Sequence, residues 1–236
     1  MYCELHAHSN FSFLDGASRT EDLVERCASM GMPALAITDH NGLYSACLFS
    51  TKAREAGIKP ILGAEVTLTG GYHLTLLTEN AKGYANLSCL ITKAQLSGTK
   101  GNPVLPYSAL EGHTEGIICL SGCKKGEIAG LLIKDEKDKA LFVAEQCISL
   151  FGKSSFYIEI QSHLTPEDKG LTALLINLAR HLGLRTVATN NVHYATRDDH
   201  VLHDVLLCIR NRTTIDCSAA FRKLNSEYYL KGYDEM

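Results

Sequence analysis

Short apolar and β-branched runs alternate with segments of helical periodicity almost from end to end of the chain, the pattern of βα units wound around a parallel sheet. Seven strands are predicted, over 2–8, 34–40, 60–68, 73–78, 116–121, 156–161 and 186–193. Between them, Ser18-x-x-Glu21 reads as a capping box ahead of Leu23, Val24, Cys27 and Met30, with Gly31 placed to end that helix. Thr165-Pro166-Glu167 reads as a second helix start. Leu171, Leu174, Leu175, Leu178 and Leu182 then follow at helical spacing as a core stripe, and Gly183 supplies the stop. There is no internal repeat, low-complexity tract or linker, and the Gly- and Lys-rich stretch 97–106 reads as a surface loop. One α/β domain over residues 1–236 is expected.

Composition refines this picture in three ways. With 236 residues and 45% hydrophobic content the chain can bury a full core. Its nine cysteines form no CxxC pair, and their odd count and irregular spacing argue against a secreted disulfide framework and for a reducing cytoplasm. No apolar run reaches the length of a membrane span, and the first residues lack a basic n-region and an h-region, so a soluble, unexported protein without membrane contact is expected. A formal net charge of -3 gives no broad basic field, so tight sequence-independent duplex binding is not expected from this chain alone and any nucleic acid contact should be local or borrowed from a partner.

Chemistry enters at the strand ends, where parallel βα architectures carry their working residues. The first predicted strand closes in Glu4-Leu5-His6-Ala7-His8-Ser9, and imidazoles at i and i+2 face the same way, a spacing that suits two ligands on one metal. Asp15 follows in the next loop. The second strand ends in Thr38-Asp39-His40-Asn41, the third carries Glu65, and the fifth ends in Leu120-Ser121-Gly122-Cys123. The sixth leads into His163 and the seventh closes with Asn190-Asn191-Val192-His193. Imidazole, carboxylate and thiol groups in such number on one face exceed what packing explains, because buried polar groups are costly unless paired or coordinated.

Other residues weigh less. By alternation Asp39 faces away from His40 and reads as structural or as support for a ligand. Lys124, Lys125 and Arg210 are candidate phosphate contacts, weighed against ordinary solvated charge, and His163 is a candidate lining residue. His200 and His203 share a helix face at i and i+3, but lack a third partner and are expected to be exposed helix polarity. His113 and His181 read as surface, Cys119 as core.

Jointly these residues resemble the PHP (polymerase and histidinol phosphatase) domain, most closely the one at the amino terminus of bacterial DNA polymerase III alpha subunits. The segments that carry the resemblance are Glu4-Leu5-His6-Ala7-His8-Ser9 with Phe13-Leu14-Asp15-Gly16, Ala36-Ile37-Thr38-Asp39-His40-Asn41, Lys59-Pro60-Ile61-Leu62-Gly63-Ala64-Glu65, His73-Leu74-Thr75-Leu76-Leu77, Leu120-Ser121-Gly122-Cys123 and Ala188-Thr189-Asn190-Asn191-Val192-His193-Tyr194. Residues 11–18 and 63–68 lean toward the error-prone branch. The resemblance implies a distorted (β/α)7 TIM-like barrel with up to three divalent metal ions at its carboxyl face. The mixed donor set favours Zn and leaves Mn, Mg and Fe open. It carries the ligand set to His6, His8, Asp15, His40, Glu65, His73, Cys123, Asn191 and His193, with Asp15, His40 and Glu65 closest to the reaction. Asn191 departs from the family pattern, which usually has an aspartate there. Asp15, Glu65 and an ionised Cys123 then supply three negative charges against six on three divalent ions, so one ion is expected to bind weakly or be absent.

The implied activity is phosphoester hydrolysis by a metal-bound hydroxide: a 3′ to 5′ proofreading exonuclease acting on the single-stranded 3′ end of DNA, within a DNA polymerase whose polymerising domains and replication proteins are its partners. A structural or assembly domain with a partly lost metal site is the alternative that Asn191 favours. A small-molecule phosphatase of the histidinol phosphate type shares barrel and metals, but residues 120–123 and 73–77 fit the polymerase branch better. The chain stops at residues 227–236, where alpha subunits continue into polymerising domains, and so reads as an excised domain or a stand-alone relative.

Overall fold

The computed structural model describes residues 2–217 and 221–236. Six strands, β1 Ala34–Ile37, β2 Lys59–Thr67, β3 His73–Thr78, β4 Ile117–Leu120, β5 Phe156–Ile160 and β6 Arg185–Ala188, pair in chain order in one sheet. Around it lie α1 Thr20–Ser29, α2 Ala46–Glu55, α3 Ala81–Ser97, α4 Glu127–Ile133, α5 Lys137–Phe151, α6 Asp168–Leu182 and α7 His200–Arg210. The expected α/β class holds. Among the described residues no helix is long and apolar enough to cross a membrane. Eight cysteines are free thiols, and the side chain of Cys217 lies outside those described.

The sheet is mixed rather than wholly parallel. β1–β2, β4–β5 and β5–β6 are parallel, whereas β3 runs antiparallel to both neighbours. Residues 68–72 are too few for the crossover that a parallel pair needs, and Gly70 and Gly71, at φ 93 and 81, turn the chain straight back. One consequence serves the site: the start of β3 lies at the same edge as the end of β2, which puts His73 beside Thr67 in register and near Glu65.

Residues 2–8 form no regular strand, only isolated bridges from Glu4 to Leu35 and from Ala7 to Val192. Side chains compete for their amides: Leu5 N and His6 N donate to Glu4 Oε1, and Ala7 N to Thr38 Oγ1. The remaining groups still pair on both flanks. Ala36 N donates to Glu4 O and Thr38 N to Ala7 O, while His8 N donates to Val192 O and Val192 N to His6 O. The segment therefore lies between β1 and the chain beyond β6. The predicted strand over 186–193 is cut short in the same region, since Asn190 N is taken by Glu4 Oε2 and Asn191 turns into the left-handed region at φ 44.

The helix signals hold with one change. Ser18 does not cap α1; its hydroxyl accepts from Ala195 N and donates toward Asp199, and Asp22 instead accepts from Arg19 N to close the first turn. Leu171 and Leu175 are buried, with Leu174, Leu178 and Leu182 packed half-buried on the same core, and α6 ends at left-handed Gly183.

Strand alternation sorts the two sheet faces. Val66, Leu74, Leu76, Cys119 and Ile158 point outward into the main core with α3 to α6, and a second core joins Leu23, Leu35, Phe49 and Leu230 under α1 and α2. The inner face divides by height. At the amino edge Leu5, Ile61, Leu77, Ile118, Tyr157 and Val187 line an apolar cavity, and at the carboxyl edge nearly every inward group is polar.

Candidate metal centre

Glu65 lies on the inward row of β2, near its carboxyl end, and is 1% exposed. Its Oε1 lies 2.9 Å from His40 Nδ1 and 2.5 Å from His73 Nδ1, and its Oε2 lies 2.9 Å from His6 Nε2. These approaches are short, yet neither Glu65 oxygen nor His6 Nε2 completes a hydrogen bond of acceptable angle. Distance and angle disagree because the atoms converge on common points rather than on one another, as donors arranged around an ion do. Burial raises the Glu65 pKa, but the His40 and His73 imidazoles beside it outweigh burial and hold it well below the usual carboxylate range.

His6 is oriented from behind. Its Nδ1 sits 2.6 Å from Glu159 Oε1, which also accepts from Gln161 Nε2 and from the Thr189 hydroxyl. Nε2 is thereby aimed at Glu65, the carboxylate–histidine pairing that fixes a metal-binding tautomer. Burial pulls the His6 pKa down, and Glu159 and then Glu65 override it, raising it to about 10. His40 follows the same logic: burial opposes, Glu65 and Asp15 prevail, and its pKa rises to about 9, with Nε2 bonded to Asp15 Oδ2 at 2.6 Å. For Asp15, burial is outweighed by that bond to His40, which holds the carboxyl well below its usual range.

His8 lies between His40 and His193 in a stack of imidazoles. Ring centroids are 4.3 Å apart for His8 and His40, and 4.9 Å for His8 and His193. Burial keeps both His8 and His193 well below the usual imidazole pKa and hence neutral, the form that ligates. Asp39 does face away, as alternation predicts, into four donors: Ser9 N and Oγ, Ser12 Oγ and Ser45 Oγ, at 2.7–2.9 Å. Ser12 Oγ also accepts from His40 N and lies 3.3 Å from His8 Nδ1, so Asp39 supports two imidazoles through one serine.

Gly122 brings in the thiol. At φ 88, and with His73 O only 2.4 Å from where a Cβ would be, it lets the chain fold over His73 and places Cys123 Sγ 3.9 Å from His73 Nδ1. Burial, and then the nearby Glu65, push the Cys123 thiol pKa upward, so its ionisation depends on a cation beside it. Asn191 presents a buried Oδ1 with no hydrogen-bond partner to the same cleft.

The cleft brings together His8, Asp15, His40, Glu65, His73, Cys123, Asn191 and His193, with His6 at its floor. Three groups of donor atoms, each within 4.8 Å of one another, suit an ion: His6, His8 and Glu65; His40, Glu65 and His73; Asp15, His193 and His203. His203 is a correction. It is 1% exposed and packs 5.2 Å from the His193 ring, with Nε2 unpartnered. The overlooked signal is the spacing of His203, Leu207 and Cys208, all buried on one stripe of α7, while His200 lies at its margin.

The cations also sort out. Lys124 Nζ is neutralised by Asp168 at 2.5 Å and donates to Thr165 Oγ1, while Lys125 lines the cleft and Arg210 Nη1 lies 3.4 Å from Asp15 Oδ1. His163 does line the cleft, stacked 3.8 Å on Tyr228, with burial lowering its pKa to about 4. Lys223, whose Nζ lies 4.1 Å from the centroid of the Tyr228 ring, lines it too, as does Gln161. Glu159, Gln161 and Lys223 escaped the sequence reading; the inward period of Tyr157, Glu159 and Gln161 along β5 was the available signal for the first two.

Comparison with known proteins agrees with this geometry. The PHP domain family matches residues 4–163. The chain is 46% identical over 98% of its length to the error-prone DNA polymerase of Symbiobacterium thermophilum, and 38% and 39% identical over its whole length to the DNA polymerase III alpha subunits of Treponema pallidum and Thermus aquaticus. It spans 23%, 21% and 21% of those proteins, less than a quarter of each. Among solved structures, an amidohydrolase from Chromobacterium violaceum superposes with a TM-score of 0.53 at 16% identity, covering 82% of this chain and 88% of that one. A protein described as a metal-dependent phosphoesterase from Bifidobacterium adolescentis gives 0.54 at 15%, covering 81% and 87%. These two likenesses show the fold alone.

Proposed function

The chain belongs to the PHP domain family, and we propose that it is the metal-dependent phosphoesterase domain of a DNA polymerase III alpha-type protein, shortening single-stranded DNA from its 3′ end. One observation carries the reading: buried imidazole nitrogens of His6 and His193, the Glu65 carboxylate oxygens and the Asn191 amide oxygen lie in or against one cleft without hydrogen-bond partners, an arrangement costly to keep unless cations satisfy it. His6, His8, Asp15, His40, Glu65, His73, Cys123, Asn191 and His193 would hold up to three divalent ions, with His203 added beside Asp15 and His193. The imidazole and thiol share of this set favours Zn, with Mn and Fe next.

When bound, such ions supply the Lewis acidity that polarises a phosphoryl oxygen and activates water. The chain's own residues do the rest. Glu159 fixes the His6 tautomer, Asp39 and Ser12 fix His8 and His40, and Asp15 holds the proton of His40 at Nε2. Lys125 and Lys223 supply positive charge on the cleft wall for a phosphodiester. We read residues 4–8, bonded on both flanks, as the seventh stave of a distorted (β/α)7 barrel spanning the chain as one domain. The likeness to polymerase subunits supports a cytoplasmic setting with polymerase domains and replication proteins as partners.

The uncharged Asn191 favours a second reading, an assembly domain with a weakened site. Elemental analysis of protein purified without chelator, with a single-stranded DNA shortening assay in Zn, Mn or Mg and an Asn191→Asp variant alongside, separates the two. Two or three ions per chain with chelator-sensitive 3′ shortening is the expected result. Little metal and no cleavage, with either restored in the variant, would establish the assembly reading.

A further inference from the structure

The cleft that gathers the donor atoms is about 200 Å³, below the roughly 300–1,000 Å³ of pockets that enclose a whole small molecule. It has room for a phosphate and ions, and a nucleotide's base and sugar must lie elsewhere. Past His40, His73 and Lys125 it opens into a groove of about 670 Å³. Phe11, Phe13 and Tyr44 wall this groove, and are 37%, 82% and 64% exposed.

Their exposure is built in. The loop carrying Phe11 and Phe13 is closed by Ser12 N donating to Ser9 O and by Asp15 N and Gly16 N both donating to Ser12 O, and Ser12 is pinned to Asp39. The same bonds shape the loop that delivers Asp15. The Tyr44 ring lies across Gly42, where a Cβ would fall 2.2 Å from Tyr44 Cε2. Lys125 and Arg210 line the same groove. Flat aromatic faces interleaved with cations, next to the donor cleft, are the elements of a sequence-tolerant single-strand platform, and the two cations complement a phosphate backbone.

We propose that Phe11, Phe13 and Tyr44 seat the bases of a single-stranded DNA substrate whose backbone passes Lys125 and Arg210, so that its 3′-terminal phosphodiester lies over the donor cleft. The identity of the strand rests on the hydrolytic reading above; its binding does not require turnover.

The chain contains no tryptophan, so Phe13→Trp installs on the platform a single indole that can be excited apart from the ten tyrosines. Titration with an oligothymidylate and with an abasic strand of equal length and charge, with and without chelator, separates stacking from charge. The expected result is quenching by oligothymidylate alone, a preference of roughly 5- to 150-fold for it over the abasic strand in the unmodified chain, and loss of most of that preference in Phe13→Ala and Tyr44→Ala. Equal affinity for the two strands under both conditions, or a full preference retained in both alanine variants, overturns the proposal and assigns the aromatics to a contact with another part of a longer protein. Base-dependent binding with no shortening in added metal keeps the platform and rejects the hydrolytic reading; shortening without base preference does the reverse.

Discussion

Asp39 and Glu65 are both acids at strand ends, both 1% exposed, and both close to His40. They differ in what surrounds them. Asp39 sits in a cage of three serines whose four donors account for both its oxygens, and Glu65 sits in a ring of three imidazoles whose approaches complete no hydrogen bond. A buried carboxylate is therefore not a functional signal by itself. The cage satisfies its acid and holds a shape, whereas the ring leaves its acid without a hydrogen bond and positioned to take a cation.

Substitution at the two acids gives the sharpest contrast. Glu65→Ala removes a donor from two of the three ion-holding groups, so metal content should fall by more than one ion and chelator-sensitive DNA shortening by about 100-fold or more, read by elemental analysis and initial rates. Asp39→Ala leaves the ring's donors in place and should instead cost about 3 kcal/mol of stability in chelator, because it strands four buried donors of three serines. An exchange of the two outcomes would break the comparison.

The ring also depends on support that the cage does not share. Glu159→Gln leaves the packing of β5 intact but frees His6 Nδ1, and roughly 10- to 100-fold weaker binding of one ion is expected by metal titration, with an unfolding midpoint close to the parent's. Protons should compete for the ring in a definite direction. His6 and His40, raised to about 10 and 9 from an ordinary 6.5, carry protons in the metal-free protein at pH 7 to 8. Ion uptake must expel them, so apparent affinity rises with pH up to about 9 to 10, and calorimetry in two buffers of different ionisation enthalpy reads the protons released. The same shifts make the metal-free chain lose stability as pH rises through 9 and 10, since a raised imidazole contributes fully only below its unfolded value. The smallest effect is at Asn191: Asn191→Asp adds one charge to the donor set and should tighten one ion by about tenfold.

Much of this was legible in the sequence because donor chemistry is local. His6 and His8, His40, Glu65 and Cys123 each fall near the end of an apolar run that hydrophobic patterning marks, and alternation alone turns Asp39 away from His40. What escaped was relational. Glu159 is an ordinary charged residue in a strand until Thr189 and Gln161 from other positions meet it, and His203 looks like surface until α7 docks its Leu207 stripe. The antiparallel β3 was hidden because a strand's apolar pattern carries no direction, and only the shortness of residues 68–72 betrays it. The first segment read as a strand because its side chains alternate, whereas its own Glu4 and Thr38 intercept the amides a ladder needs.

That first segment is hydrogen-bonded to Val192, whose neighbours His193 and Tyr194 are bonded in turn to Tyr228 and Leu230. Residues 6–8 therefore wait on residues 192–230. At the roughly 5–20 residues per second of synthesis, His6 and His8 are added about 10 to 40 s before His193 exists to complete their cleft. An ion that met these first imidazoles in that interval would meet an open set of donors, without the enclosure that residues 191–193 add.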